Sequence, residues 1–438
     1  MSVRRPSPVA TPPDSSTVRR VTLAASVGVF VELYDYGAYG FLAGTLTAVF
    51  FPQASGHTAL MLSFLVFGIP FFVRPLGGVV CGYFADSVGR QRVLVFVILL
   101  MSVATAAIGV LPDYAKFGIA APILLMLLRF TQGFSLGGEV AGAMSFLAEY
   151  APEGRRGRIT SYAQLASFAA LLTGTLLAAS LNAGLGDEAM QSWGWRIPFL
   201  IAFPMGLIGI YIRKRVGETP RFEGLKERDR LSASPVREAL SSPEFRRAIL
   251  LIVPITLLNS SGYYVLFAYM PTYLSEELRF STVQGLLVTA CTLVAISVAI
   301  PFAGRASDRL GRRPVVAGAA LLIAVLGIPC YLLISQGSVP LAIVGGVFLA
   351  TLFAGYTGVI HILLVELFPT RVRVSAYAFG YNIATAMFGG SAPFLMTWLI
   401  GLSGNTQIPG YYVVATALGS FAAVLKIRES AHLPLSDE

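Results

Sequence analysis

The chain has 438 residues, of which 55% are hydrophobic and 13% are charged, and its mean hydropathy is +0.72. A soluble domain carries about 25% charged residues, so this composition excludes a water-soluble globular protein and indicates a membrane protein. The net charge of +9 lies in tails and loops between apolar runs rather than on one soluble module, and it therefore does not indicate nucleic-acid binding.

Twelve apolar runs follow one another along the chain, and each has about the 20 residues that a helix needs to cross the hydrocarbon core of a bilayer. The predicted spans 1 to 12 cover residues 21–50, 59–85, 91–112, 117–149, 158–183, 195–213, 246–275, 283–307, 313–335, 338–367, 373–401 and 408–426. They predict an all-α membrane protein with twelve transmembrane helices.

Basic residues are distributed unevenly about these spans. Of the 32 Lys and Arg residues, 27 fall in the tails and in the loops on one side of the membrane, and three (Lys116, Arg196 and Arg279) fall on the other side. The remaining two, Arg74 and Arg129, lie within spans. Because basic loops stay inside the cell, we expect a multi-pass protein of the cell's inner (cytoplasmic) membrane with both termini in the cytoplasm.

One polar turn occurs twice. Residues 82–90 read GYFADSVGR and residues 304–312 read GRASDRLGR, so two glycines, an aspartate and an arginine recur 222 residues apart, about half the chain. Such a duplication predicts two pseudo-symmetric six-helix bundles. The expected organisation is a disordered cytoplasmic tail (1–20), an N-terminal bundle (21–213), a cytoplasmic linker (214–245), a C-terminal bundle (246–427) and a second cytoplasmic tail (428–438).

Five ionisable side chains lie at membrane depth, where a charge is costly and is therefore a candidate for function. They are Glu32, Asp35, Arg74, Arg129 and Glu139. Glu32 and Asp35 lie on neighbouring faces of one helix, where Arg74 from the next span can pair with one or both of them. We hypothesise that Asp35, or else Glu32 or Glu139, carries a proton, and that protonation frees Arg74 to accept a substrate carboxylate. In the alternative interpretation, Glu32, Asp35 and Arg74 form a static ion-pair lock.

The sequence contains no pattern typical of an enzyme or an ATP-driven pump. It has no GxxxxGK[ST] phosphate loop, and the linker is too short to hold a nucleotide-hydrolysing domain. The three cysteines lie far apart without histidine partners, and no nucleophile and base stand together. We therefore expect no enzymatic activity, no metal and no cofactor, with the proton as the coupling ion.

The repeated GxxxDxxGR turn within a twelve-span pattern resembles the major facilitator superfamily over about residues 20 to 428. Five further signatures resemble its metabolite:proton symporter branch, which includes proline/betaine, shikimate and organic-acid carriers. They are Glu32-Leu-Tyr-Asp35-Tyr-Gly, Arg74-Pro-Leu-Gly-Gly, Gln132-Gly-Phe-Ser-Leu-Gly-Gly-Glu139, Trp193-Gly-Trp-Arg196-Ile-Pro-Phe and Glu218-Thr-Pro-Arg221-Phe. Leu33 departs from the pattern, because many relatives carry an aromatic residue there.

The resemblance implies a secondary active transporter that takes up a small carboxylate-bearing metabolite together with protons by alternating access. Tyr263-Tyr264 is similar to the proline/betaine carriers, whereas Gln164 is closer to the organic-acid carriers, so both substrate classes stay open. In this family, spans 1, 7 and 11 line a central cavity. The implied substrate-binding residues are Arg74, Arg129, Tyr34, Tyr36, Gln164, Tyr263, Tyr264, Phe267, Tyr381 and Asn382. Arg129 has a second interpretation, as an outer gate.

The duplicated turns are expected to act as a conformational latch. Their aspartates can cap helices of the opposite half, and their arginines can pair with carboxylates at the ends of spans 4 and 10. The predicted latch residues are Gly82, Asp86, Gly89, Arg90, Arg92, Glu149, Arg155, Arg158, Asp308, Arg312, Arg313, Glu366, Arg371 and Arg373. Such contacts are expected to hold the outward-open state and to break on inward opening, so their strength sets the ratio of the two populations rather than substrate affinity.

Two other functions were weighed. A proton-coupled efflux antiporter of drugs or metabolites is the main alternative, but such carriers commonly have a Gly/Pro motif in span 5, and residues 158–183 contain only Gly174 and no proline. A sensor on a transporter scaffold is expected to have lost its coupling residues, and they are present here. We expect the partners to be a small-molecule substrate, protons and the lipid bilayer, with a monomer sufficient for function.

Overall fold

The computed structural model describes residues 14–54, 56–215, 218, 223–224, 227, 238 and 241–436, apart from the side chains of residues 36, 56, 57, 60, 90 and 187. Most of the predicted linker and residues 1–13 of the predicted N-terminal tail therefore lie outside the described residues. Within the described ranges the chain is helical and contains no strand.

The first six spans form the N-terminal bundle. Span 1 is Ser15–Phe41 continued by Ala43–Phe50, span 2 is Gly56–Ser87, span 3 is Arg90–Gly109, span 4 is Ala120–Leu136 continued by Glu139–Tyr150, span 5 is Arg156–Ala189, and span 6 is Arg196–Lys214. A short helix, Tyr114–Phe117, precedes span 4, and a π-helical turn, Met190–Gly194, precedes span 6.

The last six spans form the C-terminal bundle. Span 7 is Pro243–Tyr263 with the π-helical turn Tyr264–Ala268, followed by Met270–Thr272 and the π-helical turn Tyr273–Glu277. Span 8 is Thr282–Leu310, span 9 is Arg312–Ile334, span 10 is Val339–Val365, span 11 is Arg373–Thr385, Ala386–Gly390 and Ala392–Ser403, and span 12 is Ile408–Val424.

Ten described helices, which correspond to spans 2 to 11, are long and apolar enough to cross a membrane. Span 12 is a shorter apolar helix of 17 residues, and span 1 carries buried charges that lower its hydropathy. The predicted all-α fold of twelve spans is confirmed. The two bundles contact each other mainly through span 2 against span 11 and span 5 against span 8.

The first helix begins earlier than the sequence suggested. It begins at Ser15, because the side chain of Asp14 accepts a hydrogen bond from the Thr17 N–H (2.6 Å) and so caps the helix. Residues 15–20, which we had assigned to a disordered tail, are therefore helical.

Glycines in two of the signatures allow spans 2 and 4 to touch backbone to backbone. A Cβ atom at Gly77 would overlap the backbone of Phe134, and a Cβ atom at Gly133 would overlap the backbone of Pro70. This close approach brings together the two helices that carry Arg74 and Arg129, and it is the physical reason for glycine in both signatures.

We predict that Gly133→Ala destabilises the protein by about 1–3 kcal/mol, because the added methyl group has no space. The matched control is Gly318→Ala in span 9, where no atom lies within 4 Å of the added Cβ. The melting temperature of the detergent-purified protein measures both effects. Equal melting temperatures for the two variants would contradict the close approach of spans 2 and 4.

Candidate functional site

A cavity lies between the bundles at mid-depth and is lined from both sides. Its lining residues are Val29, Leu33, Arg74, Val140, Met144, Gln164 and Ser167 of the N-terminal bundle and Asn259, Ser260, Tyr263, Tyr264, His361 and Tyr381 of the C-terminal bundle. Its atom-free space is about 420 Å³, of which about 30 Å³ can hold the centre of a water molecule. That is room for roughly two or three waters, so the cavity is contracted in this conformation.

Among the described residues that line the cavity, Arg74 is the one with a full positive charge, and it is almost completely buried. Its guanidinium carbon lies 4.8 Å from the centroid of the Phe71 ring. Two lining atoms, Asn259 Oδ1 and His361 Nε2, are buried without a hydrogen-bond partner among the described residues. The other ring nitrogen of His361 lies 2.6 Å from the Tyr377 hydroxyl. The cavity therefore offers one cation and unused polar atoms to a bound molecule.

Two lining side chains also connect the bundles. The hydroxyls of Ser167 and Tyr263 lie 3.0 Å apart, and Gln164 Nε2 donates to the hydroxyl of Thr357 (2.9 Å). Both hydrogen bonds join span 5 to the opposite bundle. Any movement that widens the cavity between spans 5, 7 and 10 must break them.

Of the ten residues predicted to bind substrate, five line the cavity: Arg74, Gln164, Tyr263, Tyr264 and Tyr381. Four others lie elsewhere. Arg129 is paired with Asp35, Tyr34 is fully buried outside the lining, Phe267 packs against Phe168 and Phe353, and Asn382 donates to the backbone carbonyl of Gly137 (2.6 Å). The side chain of Tyr36 lies outside the described residues.

The partner of Asp35 differs from our expectation. Asp35 does not pair with Arg74 but with Arg129, at 2.6 Å, and it also accepts a hydrogen bond from Gln132 (2.9 Å). Gln132 in turn hydrogen-bonds Thr105 (2.8 Å), and the Arg129 guanidinium lies 4.0 Å from the centroid of the Tyr39 ring. Asp35 faces span 4 rather than span 2, and for this reason its partner is Arg129 and not the predicted Arg74.

A second buried ion pair joins Glu139 to Arg213 at 2.8 Å. Sequence reasoning missed Arg213, because it lies at the end of span 6 and was counted among the loop cations. The signal that could have revealed it is Gly28, one turn before Glu32, since a Cβ at Gly28 would meet the Arg213 guanidinium at 2.6 Å.

Glu32 is the exception among the buried carboxylates. Both of its oxygens are buried, and neither has a hydrogen-bond partner among the described residues. Its electrostatic neighbours are Glu139, Arg74 and Arg213. The site therefore contains two carboxylates locked in ion pairs and one that is not.

The duplicated turns lie at one end of the molecule, which we call the basic end. Asp86 accepts hydrogen bonds from the backbone N–H (3.0 Å) and hydroxyl (2.7 Å) of Ser375, at the start of span 11. Asp308 accepts from the backbone N–H groups of Gly157 and Arg158, both at 2.8 Å, at the start of span 5. Each aspartate thus caps a helix of the opposite bundle.

Gly89 and Gly311 end the two turns with φ values of 125° and 103°. Residues with a side chain rarely adopt this conformation, which explains why glycine recurs at both positions. The first glycines of the two turns lie against the opposite bundle, since a Cβ at Gly82 would lie 3.1 Å from the Cα of Ser375 and a Cβ at Gly304 would lie 2.6 Å from the carbonyl oxygen of Gly157.

Ion pairs cross between the bundles beside these caps. Glu149 pairs with Arg373 of the opposite bundle. Glu366 lies 3.6 Å from Arg156 of the opposite bundle and 3.4 Å from Arg312 of its own. Arg312 also pairs with Asp308 at 2.7 Å, so the cap and the ion pairs form one network.

Arg156 replaces two residues that we had predicted for this network. The side chains of Arg155 and Arg158 are exposed and form no ion pair within the described part of the chain. Arg155 immediately precedes span 5, and Arg156 and Arg158 lie in its first turn; of the three, Arg156 is the one that lies near Glu366. Arg92 is likewise exposed and makes no ion pair with a described residue. Arg371 lies 2.9 Å from Glu238, and the side chain of Arg90 lies outside the described residues.

The C-terminal residues 429–436, which we call the tail strap, cover the basic end. Glu429 accepts hydrogen bonds from the backbone N–H groups of Arg312 (2.8 Å) and Arg313 (2.9 Å) at the start of span 9. Partial burial opposes ionisation, but these backbone donors hold the pKa of Glu429 below its usual value. The side chain of Arg313 also donates to the Leu425 carbonyl (2.7 Å).

Farther along the tail strap, the carbonyl of Leu433 accepts a hydrogen bond from Arg156 (2.8 Å) and the carbonyl of Ser436 accepts one from Arg373 (3.0 Å). The strap therefore contacts both bundles. The N-terminal bundle contains a contact equivalent to that of Glu429. There, Glu218 accepts a hydrogen bond from the Gln91 N–H (3.1 Å) at the start of span 3. A glutamate just beyond the sixth helix caps the third helix in each bundle.

Comparisons with known proteins agree with this architecture. The family model described as "Sugar (and other) transporter" matches residues 21–241 and 226–437. The proton:xylose symporter XylE bound to 6-bromo-6-deoxy-D-glucose superimposes with a TM-score of 0.80 at 20% identity, over 97% of this chain and 98% of XylE. At 20% identity, this similarity shows only that the two proteins share a fold.

Three curated relatives are similar over almost the whole chain. The glycine betaine/proline/ectoine/pipecolic acid transporter OusA of Dickeya dadantii is 37% identical over 96% of this chain and 85% of its own. The proline/betaine transporter of Escherichia coli K12 is 36% identical over 96% and 86%. The ectoine/proline transporter ProP of Corynebacterium glutamicum is 35% identical over 95% and 85%. All three are transporters rather than enzymes, and the chain belongs to the sugar (and other) transporter family.

Proposed function

We propose that this protein is a proton-coupled symporter that takes up a small zwitterion of the proline or betaine type. The relatives named above transport such compounds, and XylE is a proton symporter of the same fold. The observation that carries the proposal is a cavity with one buried guanidinium, that of Arg74, beside a cluster of tyrosines. The proton is the coupling ion, and no residue of the site requires another cofactor.

The lining suits the two ends of a zwitterion. Arg74 can hold the carboxylate through two parallel hydrogen bonds. The rings of Tyr263, Tyr264 and Tyr381 can hold an ammonium by cation–π attraction, and Asn259 Oδ1 is a free acceptor for an N–H group. Gln164, the feature closest to the organic-acid carriers, already hydrogen-bonds Thr357, which favours the zwitterion over an organic acid.

We propose Glu32 as the proton carrier in place of Asp35. Protonation of Asp35 or Glu139 would leave Arg129 or Arg213 buried without its carboxylate, at a cost of about 3–5 kcal/mol. Protonation of Glu32 breaks no hydrogen bond within the described residues. It also removes the negative charge beside Arg74, which then attracts the substrate carboxylate more strongly. The binding of the proton therefore strengthens the binding of the substrate, and the reverse also holds.

The positive-inside distribution supports a cytoplasmic location for the basic end, both termini and the linker. The latch would then close the cytoplasmic side, and inward opening must break the Glu149–Arg373 pair and both aspartate caps. On the other side of the cavity, Phe71 and Phe67 of span 2 contact Tyr264 of span 7, with ring centroids 4.8 and 6.1 Å apart, and would form the outer gate. One chain contains the cavity and both gates, so a monomer suffices.

We predict that wild-type protein in proteoliposomes accumulates radiolabelled proline or glycine betaine when an inward proton gradient is applied, and that a protonophore abolishes the accumulation. Arg74→Gln should abolish uptake, whereas Arg74→Lys should retain it with a KM raised about tenfold or more, because the ammonium cannot form two parallel hydrogen bonds. Normal uptake by Arg74→Gln would contradict the assignment. Proton-driven expulsion of a lipophilic cation would instead indicate an efflux antiporter.

We predict that Glu32→Gln uncouples transport. The variant should exchange labelled for unlabelled substrate across the membrane, because binding and alternating access remain, but it should not accumulate substrate under a proton gradient. Asp35→Asn serves as the comparison, because it breaks the Arg129 pair and should lower the melting temperature instead. If Asp35→Asn remains stable and becomes uncoupled while Glu32→Gln accumulates substrate, Asp35 is the carrier.

We predict that Glu149→Gln opens the basic end, because it leaves Arg373 buried without its carboxylate. The matched control is Glu153→Gln, an exposed glutamate four residues later. Spin labels are attached to cysteines that replace the exposed residues Arg92 and Lys426 in a protein without its native cysteines. Double electron–electron resonance then measures the distance between the two bundles. A longer distance in Glu149→Gln alone supports the latch, and unchanged distances in both variants contradict it.

A further inference from the structure

A second, larger recess lies outside the cavity, on the surface of the N-terminal bundle where spans 1 and 5 run side by side. The atom-free space of this groove is about 1470 Å³, of which about 720 Å³ can hold the centre of a water molecule, and the groove shares no lining residue with the cavity. Its mouth is at the basic end. The transport mechanism proposed above makes no use of it.

Three arginines surround the mouth of the groove: Arg19 of span 1, Arg155 just before span 5, and Arg158. All three are exposed, and none has a carboxylate partner within the described part of the chain. The side-chain hydrogen bond that the structure describes for them is from Arg158 Nε to the Tyr162 hydroxyl (3.3 Å). The described residues that line the groove include no acidic one. Within the described lining, the mouth therefore carries three positive charges and no negative one.

Below the mouth the walls are mainly apolar, with Leu23 and Phe30 on span 1 and Leu165 and Ala169 on span 5. From Arg19 to Phe30, and likewise from Arg158 to Ala169, a helix rises by about 16 Å. One leaflet of the hydrocarbon core is about 15 Å thick. The groove therefore has the length of one leaflet, with its cations where the headgroups lie.

We propose that this groove binds one anionic phospholipid of the cytoplasmic leaflet, with the phosphate among Arg19, Arg155 and Arg158 and one acyl chain between spans 1 and 5. The leaflet follows from the orientation proposed above. A zwitterionic lipid has no net charge to compensate the three arginines. The chain's own first 13 residues are a poor occupant, because they contain Arg4 and Arg5 and no acidic residue.

Native mass spectrometry of the detergent-purified protein tests the proposal by titration with phosphatidylglycerol or phosphatidylcholine. We expect wild-type protein to retain one phosphatidylglycerol in preference to phosphatidylcholine. The triple variant Arg19→Gln, Arg155→Gln, Arg158→Gln should bind phosphatidylglycerol about a hundredfold more weakly, since each arginine contributes about a fivefold factor near an anionic headgroup.

The matched control is Arg305→Gln, Arg309→Gln, Lys426→Gln, which removes the same charge from exposed positions of the C-terminal bundle. It should bind the lipid as wild type does. An equal loss in both triple variants would overturn the proposal in favour of a general surface attraction. If the wild-type protein retains phosphatidylglycerol and phosphatidylcholine equally, the arginines do not select an anionic headgroup and the proposal is wrong.

A further variant, Ala166→Trp, tests the apolar part, because it fills the groove and leaves all three arginines in place. We expect it to lose the bound phosphatidylglycerol while the protein stays monodisperse and folded. Retention of the lipid by Ala166→Trp would show that the acyl chain does not lie in the groove. Inorganic phosphate at millimolar concentration should not displace the lipid, and displacement would assign the arginines to a free anion instead.

Discussion

A charge buried in a bilayer must be neutralised by a neighbour, and this constraint organises the interior of the protein. Asp35 with Arg129 and Glu139 with Arg213 satisfy it as ion pairs, since in each pair the charged atoms lie within 2.8 Å of each other and both side chains are nearly inaccessible to solvent. What remains is Glu32, whose oxygens have no hydrogen-bond donor in the described structure and whose electrostatic neighbours include Arg74 of the cavity lining. Because the other two carboxylates are held in ion pairs, we infer that Glu32 binds the proton and Arg74 binds the substrate.

The same requirement, applied at the basic end, produces a contact that can open. Here the carboxylates and cations belong to opposite bundles, as in Glu149 with Arg373 and Glu366 with Arg156. Separation of the bundles breaks these pairs but exposes their members to water, where an unpaired charge costs little. We infer that ion pairs within a bundle at mid-depth are permanent, whereas ion pairs between the bundles at the basic end are switchable.

The sequence alone predicted the twelve spans and the two halves, because long apolar runs and a repeated turn are local signals. It also identified Arg74 and the tyrosines of span 7 as cavity residues. It assigned partners less well, because the pairs join residues such as Glu149 and Arg373 that are 224 positions apart. Asp35 and Glu32 are three residues apart, and only packing determines which of them faces Arg129. For the same reason Arg156 could not be distinguished from Arg155 and Arg158, and the tail strap has no periodic pattern that predicts its contacts.

The central claim is that Glu32 takes up the coupling proton when Arg74 accepts the substrate. It is tested most directly by titration calorimetry of proline binding at mildly alkaline pH in two buffers of different ionisation enthalpy. The difference in heat gives the number of protons bound with the substrate. We predict uptake of about one proton by the wild-type protein and none by Glu32→Gln, with substrate binding preserved in both. Proton uptake by Glu32→Gln equal to that of the wild type would contradict the account.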